Sequence, residues 1–203
     1  MTKTKDNFEQ ELARRFVKGD QDAFEKLVKI HKNALYGFLR RYLPSQDLVE
    51  DAFQDTFMQF YLSRENFDPS RSVRPWLFTI AANKARDTLR KRKRESTVSI
   101  NKISDSADMT FDDTLNSIVS SNITPDKLAS DEEKKANVRE IVDNMPDNLK
   151  EIIILAYFKQ FSYKQMADIL SIPIGTVKSR LHSAVGYFVK KWKNTYMDKD
   201  SNE

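Results

Sequence analysis

The 203-residue chain has no cysteine, which excludes a disulfide scaffold, a thiolate metal site and a cysteine nucleophile. Four glycines and six prolines are few for an all-β chain with many tight turns, and they leave no glycine-rich loop to cradle a phosphate. Only two histidines occur, His31 and His182, far apart in sequence and in no HExxH or triad-like pattern. Asp51 and Asp55 stand one helical turn apart, but without a histidine or a second carboxylate pair they make a poor metal site. Long apolar runs are also missing. The longest, Ile152 to Phe158, is far short of the roughly 20 residues of a spanning helix. The polar start, Met1 to Glu11, has no signal-peptide core. The expectation is a cytoplasmic, cofactor-free, all-α protein with no membrane insertion.

Apolar residues make up 39% of the chain and charged residues 32%, which suits one or two small cores better than one large one. The net charge of +4 is mild, but it is unevenly placed: residues 1–95 carry +6, residues 96–130 carry −3 and residues 131–203 carry +1. The middle segment is rich in Ser and Thr, with Asp105, Asp108, Asp112 and Asp113 and a single aromatic, Phe111. Such a stretch buries too little apolar surface to fold alone. It reads as a flexible acidic linker between two small helical domains, 1–95 and 131–203, with Leu115, Ile118 and Val119 able to form one docking turn.

In the first domain, Phe24, Leu27, Val28, His31, Leu35, Phe38, Leu39 and Tyr42 recur at helical spacing up to Pro44. A second helix is expected over Gln46 to Leu62, its apolar side formed by Leu48, Ala52, Phe53, Phe57, Phe60 and Tyr61. Its other side carries Asp47, Glu50, Asp51, Gln54 and Asp55, a negative face suited to a basic protein partner or simply to solvent. A third helix is expected from about Arg74 to Arg94, where an apolar stripe lies beside Asn83, Lys84, Arg86 and the run Arg90 to Arg94. Clustered cations of this kind neutralise phosphates. Phe67, Trp76 and Phe78 either pack in the core or stack on bases of an opened strand.

In the second domain, helices are expected over Asp131 to Asn144, from Pro146 to Gln160, from Tyr163 to Leu170 behind a Ser162 cap, and from Ile174 to Tyr196. The last two, joined by Ser171-Ile172-Pro173, form a helix-turn-helix pattern. Ala167 is small at the helix crossing, and Leu170, Ile172, Val177 and Leu181 are apolar where the helices meet. Thr176, Lys178, Ser179, Arg180 and His182 are left on the face that a recognition helix turns toward DNA. Ser171 stands at a turn position that favours glycine, and Pro173 where a Ser or Thr cap is usual.

Taken together, these features resemble the extracytoplasmic-function (ECF) group of bacterial sigma factors, within the sigma-70 superfamily of RNA polymerase initiation factors. The resemblance is carried by Gly19-Asp20-Gln21-Asp22-Ala23-Phe24, by Glu50-Asp51-Ala52-Phe53-Gln54-Asp55-Thr56-Phe57 and by Arg74-Pro75-Trp76-Leu77-Phe78-Thr79-Ile80-Ala81. It continues in Met145-Pro146-Asp147, Phe161-Ser162-Tyr163 and Gly175-Thr176-Val177-Lys178-Ser179-Arg180-Leu181-His182. The resemblance implies a sigma region 2-like domain and a sigma region 4-like domain, with no catalytic site and no small-molecule substrate. Asp51, Gln54, Asp55 and Met58 would bind the clamp of core RNA polymerase. Phe67, Phe78 and Asn83 would hold the opened −10 element, with Arg86 and Arg90 on its backbone. Thr176, Lys178, Ser179, Arg180 and His182 would read the −35 element of promoter DNA beside the polymerase flap. The linker would thread the polymerase near the RNA exit path, and an anti-sigma factor is a further partner of many relatives. One departure stands out: Ser183-Ala184-Val185-Gly186 follow His182, where the family often has arginines. The alternative is a stand-alone helix-turn-helix regulator, which leaves the basic, aromatic third helix without a purpose.

Overall fold

A computed structural model describes the backbone of residues 2–97 and 132–197, and side chains over 7–94 and 135–195. The expected linker lies almost wholly outside the described residues, and so does the turn proposed at Leu115, Ile118 and Val119. The described residues contain no strand.

The first domain is built from α1 (Thr2–Val17), α2 (Gln21–Tyr42), α3 (Gln46–Leu62) and α4 (Val73–Thr97), with one 3-10 turn at Arg64–Asn66. Helix α1 is an addition to the sequence reading, which treated this polar start only as lacking a signal core. Its inner side is narrow but fully used: Leu12, Ala13 and Phe16 are buried, and Phe16 stacks on Phe24 and, at 4.6 Å, on Phe60. The α1–α2 corner needs Gly19, whose φ of +87° lies in the left-handed region that a side chain disfavours. Asp20 then caps α2 by accepting the Ala23 N–H, and Arg15 reaches back to Asp20 at 2.7 Å. Those contacts hold the Asp20 carboxyl below the usual range, the Ala23 N–H contributing most.

Helix α2 buries Leu27, Leu35, Phe38 and Leu39 on the face expected from their spacing, and ends where Leu43 turns extended before Pro44. His31 is also inside, its Nε2 3.3 Å from Glu9 Oε1 without the alignment of a hydrogen bond. Helix α3 buries Val49, Ala52, Thr56, Phe57 and Phe60, and the Thr56 hydroxyl donates to Ala52 O. Helix α4 turns Leu77, Phe78, Ala81, Ala82 and Ala85 inward. The three alanines let neighbouring backbones approach closely. Trp76 lies between Phe60 and Phe67, stacked on the latter at 4.5 Å, so the packing alternative describes this ring.

The second domain comprises α5 (Glu132–Asp143), α6 (Asp147–Ile153), α7 (Tyr163–Leu170) and α8 (Ile174–Trp192). Instead of running straight to Gln160, α6 widens into a π-helical turn at Ile154–Phe158, and Gln160 then adopts φ +55°. The Ile152–Leu155 run is buried on all sides, so it packs as core through the change of pitch. Helix α8 likewise ends in a π turn, Lys193–Met197. Ser162 caps α7 in a capping box with Gln165. Ser171 does take the left-handed conformation, φ +54°, and the Ile172 N–H closes the turn on Ala167 O. Pro173 starts α8 with no side-chain cap.

The two domains are packed together. The segment Phe158 to Phe161 enters between α2 and α4, where Phe161 meets Phe78 edge-on at 4.9 Å. Arg41 lies over the Phe158 ring at 4.7 Å and Arg74 over the Phe161 ring at 4.5 Å. Arg74 also donates to Lys159 O.

Candidate polymerase and promoter surfaces

On α3, Asp51, Gln54, Asp55 and Met58 all project outward. They share one face because their spacing of three and four matches the helical repeat, while Ala52, Thr56 and Phe60 anchor the opposite face. Asp55 lies 3.5 Å from Lys84 of α4, a solvent-exposed ion pair that adds little to the packing of the two helices. The acidic face has an apolar end, Met58, which is 65% exposed, and it extends to Leu62, 64% exposed, which the sequence reading did not assign to this face. Leu62 was expected only as the helix end.

The five residues expected at an opened strand divide into three groups. Asn83 and Arg90 are exposed on α4. Arg86 is half-buried: it donates to Asn83 Oδ1 and Ala82 O, and its Nε lies 3.3 Å from Glu151 Oε1 in the second domain. Phe67 and Phe78 are buried, at 5% and 0% exposure, Phe67 on Trp76 and Phe78 between Phe38 and Phe161. In this arrangement neither ring faces solvent.

Helix α8 is held by Val177, Leu181 and Ala184, which are buried at helical spacing. Lys178 is exposed beyond them, and Thr176, Ser179, Arg180 and His182 are half-buried. Ser179 donates to Thr176 O. Ile174, 48% exposed at the helix start, adds an apolar contact to this face that the sequence reading left out.

Glu151 lies behind both candidate DNA faces. It is 3% exposed, and burial pushes its carboxyl up to about 7 against the opposing pull of Arg86, Arg180 and Arg90; Asp147 raises it further. Tyr42 shares this environment, and burial with Glu151 and Asp147 pushes its phenol far up. No local pattern marks Glu151 in the sequence, because the helices that bury it are distant along the chain.

Comparison with known proteins places these surfaces in a family. Residues 27–95 match the family model "Sigma-70 region 2", and residues 135–185 match "Sigma-70, region 4", together more than half of the chain. The architecture is therefore that of the sigma-70 class. The chain is 31% identical to the ECF RNA polymerase sigma factor SigW of Bacillus subtilis, over 81% of this chain and 86% of that protein. It is also 31% identical to the ECF RNA polymerase sigma-E factor of Escherichia coli, over 87% of this chain and 90% of that one. Among solved structures, the sigma factor RpoE of Bartonella quintana, in complex with the anti-sigma factor NepR, superposes with a TM-score of 0.62. That match has 25% identity and covers 84% of this chain and 96% of the other. CnrH, in complex with the cytosolic domain of CnrY, shares the fold at a TM-score of 0.65 and 24% identity, over 92% and 98% of the two chains. The chain belongs to the ECF group of sigma-70 family sigma factors, and these relatives favour that reading over a stand-alone regulator.

Proposed function

We propose that the chain directs core RNA polymerase to specific promoters and helps to open their −10 region, supplying no catalytic group of its own and acting in the cytoplasm. The observation that carries this reading is the pairing of unlike surfaces in one chain. An acidic, partly apolar face on α3 suits a basic protein surface, and a helix-turn-helix with Lys178 outward suits duplex DNA. Asp51, Gln54, Asp55 and Met58 are the proposed clamp contacts, and the exposed Leu62 extends them. Asn83, Arg86, Arg90, Phe67 and Phe78 are assigned to the −10 strand. Thr176, Lys178, Ser179, Arg180 and His182 are assigned to the −35 duplex. Residues 1–95 form the proposed polymerase and −10 unit, 131–203 the −35 and flap unit, and 96–130 the acidic connection. Among the described residues, no helix is long and apolar enough to cross a membrane. An anti-sigma protein is a proposed partner, because the Bartonella relative was solved in complex with one.

The test is transcription in vitro with purified core polymerase, this chain and a genomic promoter pool. Discrete start sites that depend on both proteins are expected. Tight binding to duplex promoter DNA by the chain alone, with no core-dependent start sites, would establish the stand-alone regulator instead.

A further inference from the structure

The first residue of α8 is an isoleucine left in solvent: Ile174 is 48% exposed. A single exposed isoleucine is ordinary on a protein surface, so its place is what carries information. Ile174, Lys178 and His182 recur every four residues and line one side of α8, beside the buried Val177 and Leu181 that fix the helix. The next position is open as well, since a Cβ at Gly175 would meet no atom within 4 Å. The apolar group thus continues the face that the proposed function turns to the −35 duplex. Resting on that reading, we propose that Ile174 is a specificity-determining residue, which reads a thymine of the −35 element by packing on its C5-methyl group.

The chemistry of the side chain selects this partner. Among the four ordinary bases, thymine alone shows a methyl group in the major groove, and apolar side chains recognise it there. The N-terminal residues of a recognition helix are the ones that come nearest to base edges. Isoleucine has no donor and no acceptor, so it can neither pair with a purine edge nor hold a phosphate. Its β-branched side chain is stiff at χ1, so little rotamer freedom is lost when a methyl group arrives.

The rest of the helix leaves a role for such a contact. Guanine is read most often by the paired hydrogen bonds of an arginine or a lysine. Between Ile174 and Gly186 the lysines and arginines are Lys178 and Arg180. Arg180 is half-buried and acts on the carboxyl of Glu151 inside the protein. Lys178 is therefore the exposed long cation of this stretch, and Ser183, Ala184, Val185 and Gly186 add no other. A face with so few hydrogen-bonding arms must take more of its discrimination from apolar contact.

Deoxyuridine tests the contact directly, because it differs from thymidine only by the methyl group. Start sites are first mapped with core polymerase, which locates the −35 element. Each thymine of that element, on either strand, is then replaced singly by uracil in a synthetic promoter duplex. The affinity of core polymerase carrying the full chain is read by competition against the all-thymine duplex. At one position the parent should lose about four-fold in affinity, the effect of burying one methyl group. Ile174→Ala and Ile174→Ser should each bind thymine and uracil there equally, whereas Ile174→Val should retain the difference. Circular dichroism checks the fold of all three. A −35 element in which no thymine is sensitive to the methyl group overturns the proposal. So does a methyl effect of the same size in Ile174→Ala and Ile174→Ser, which would belong to the duplex or to another side chain. Absence of core-dependent start sites removes the sigma reading and this proposal with it. With start sites present and no coupling between Ile174 and the methyl group, only this contact fails.

Discussion

Helices α3 and α4 lie side by side in one domain, yet their candidate working faces are in opposite states. The α3 face is open, with Asp51, Gln54, Asp55 and Met58 turned to solvent and Leu62 beside them. On α4 and the loop before it, Phe67 and Phe78 are sealed and Arg86 is engaged by the second domain, while Asn83 and Arg90 alone stay outside. The difference teaches what covers each face. Under the proposed function the α3 face meets polymerase as it stands, whereas Phe67 is covered by Trp76 of its own domain and Phe78 by Phe38 and by Phe161 of the second domain.

The comparison can be broken most severely from behind. Phe16→Ala removes a fully buried ring stacked on Phe60 and Phe24, with an expected loss of about 3–5 kcal/mol. Because α1 braces α3 through that stack, thermal unfolding should show the loss in the first domain, and polymerase binding should fall with it. A stability change under about 1 kcal/mol would mean that α1 is an appendage rather than a brace.

The covered side is sharpened by Glu151→Gln. With its carboxyl raised from 4.5 to about 7 in the folded protein, the acid costs nothing below about pH 4.5. Its penalty grows as the pH rises and is complete above about 7. The variant should match the parent near pH 5 and exceed it near pH 8, by about 3 kcal/mol at most, read from denaturant midpoints. A lysine lowered by burial from 10.5 to about 8 behaves oppositely, so Lys159 should tighten the packing of the two domains as the pH rises between those values. Equal stability of Glu151→Gln and the parent at both pH values would show that Arg86 and Arg180 already compensate the burial.

Smaller effects separate the two faces functionally. Asp51→Arg should weaken core polymerase binding about ten-fold in a pull-down titration, by reversing a charge on the open face. Asn83→Ala should leave that binding unchanged and slow open-complex formation, followed with permanganate. Equal loss of polymerase binding in both would end the division of labour. The smallest expected change is Ser162→Ala, about 1 kcal/mol, because the α7 cap loses its side-chain oxygen while the rest of the helix-turn-helix is retained.

Local chemistry was legible in the sequence where a pattern is complete within one element. The α3 bounds, Gln46 to Leu62, follow from apolar spacing and Pro44, and the Ser162 cap and the left-handed Ser171 follow from turn chemistry. Helix α1 escaped because its buried residues, Leu12, Ala13 and Phe16, occupy little more than one turn, and burial against α2 and α3 decides their role. The π turn at Ile154–Phe158 escaped because a continuous apolar run carries no phase. Outward residues of the candidate sites were readable from helical phase, as at Asp51, Asn83 and Lys178. The packing between the domains was not readable, since Gly37 against Lys159 and Arg86 against Glu151 are pairings set by how the domains meet.

The aromatic stacks have an optical consequence. The chain has two tryptophans, Trp76 stacked on Phe67 in the first domain and Trp192 on Phe188 in the second, at 4.5 and 5.9 Å between ring centres. Each domain therefore carries its own intrinsic chromophore in a defined surrounding. Replacing one indole by phenylalanine leaves the emission of the other to follow a single domain, so the two halves can be watched melting separately with no dye attached.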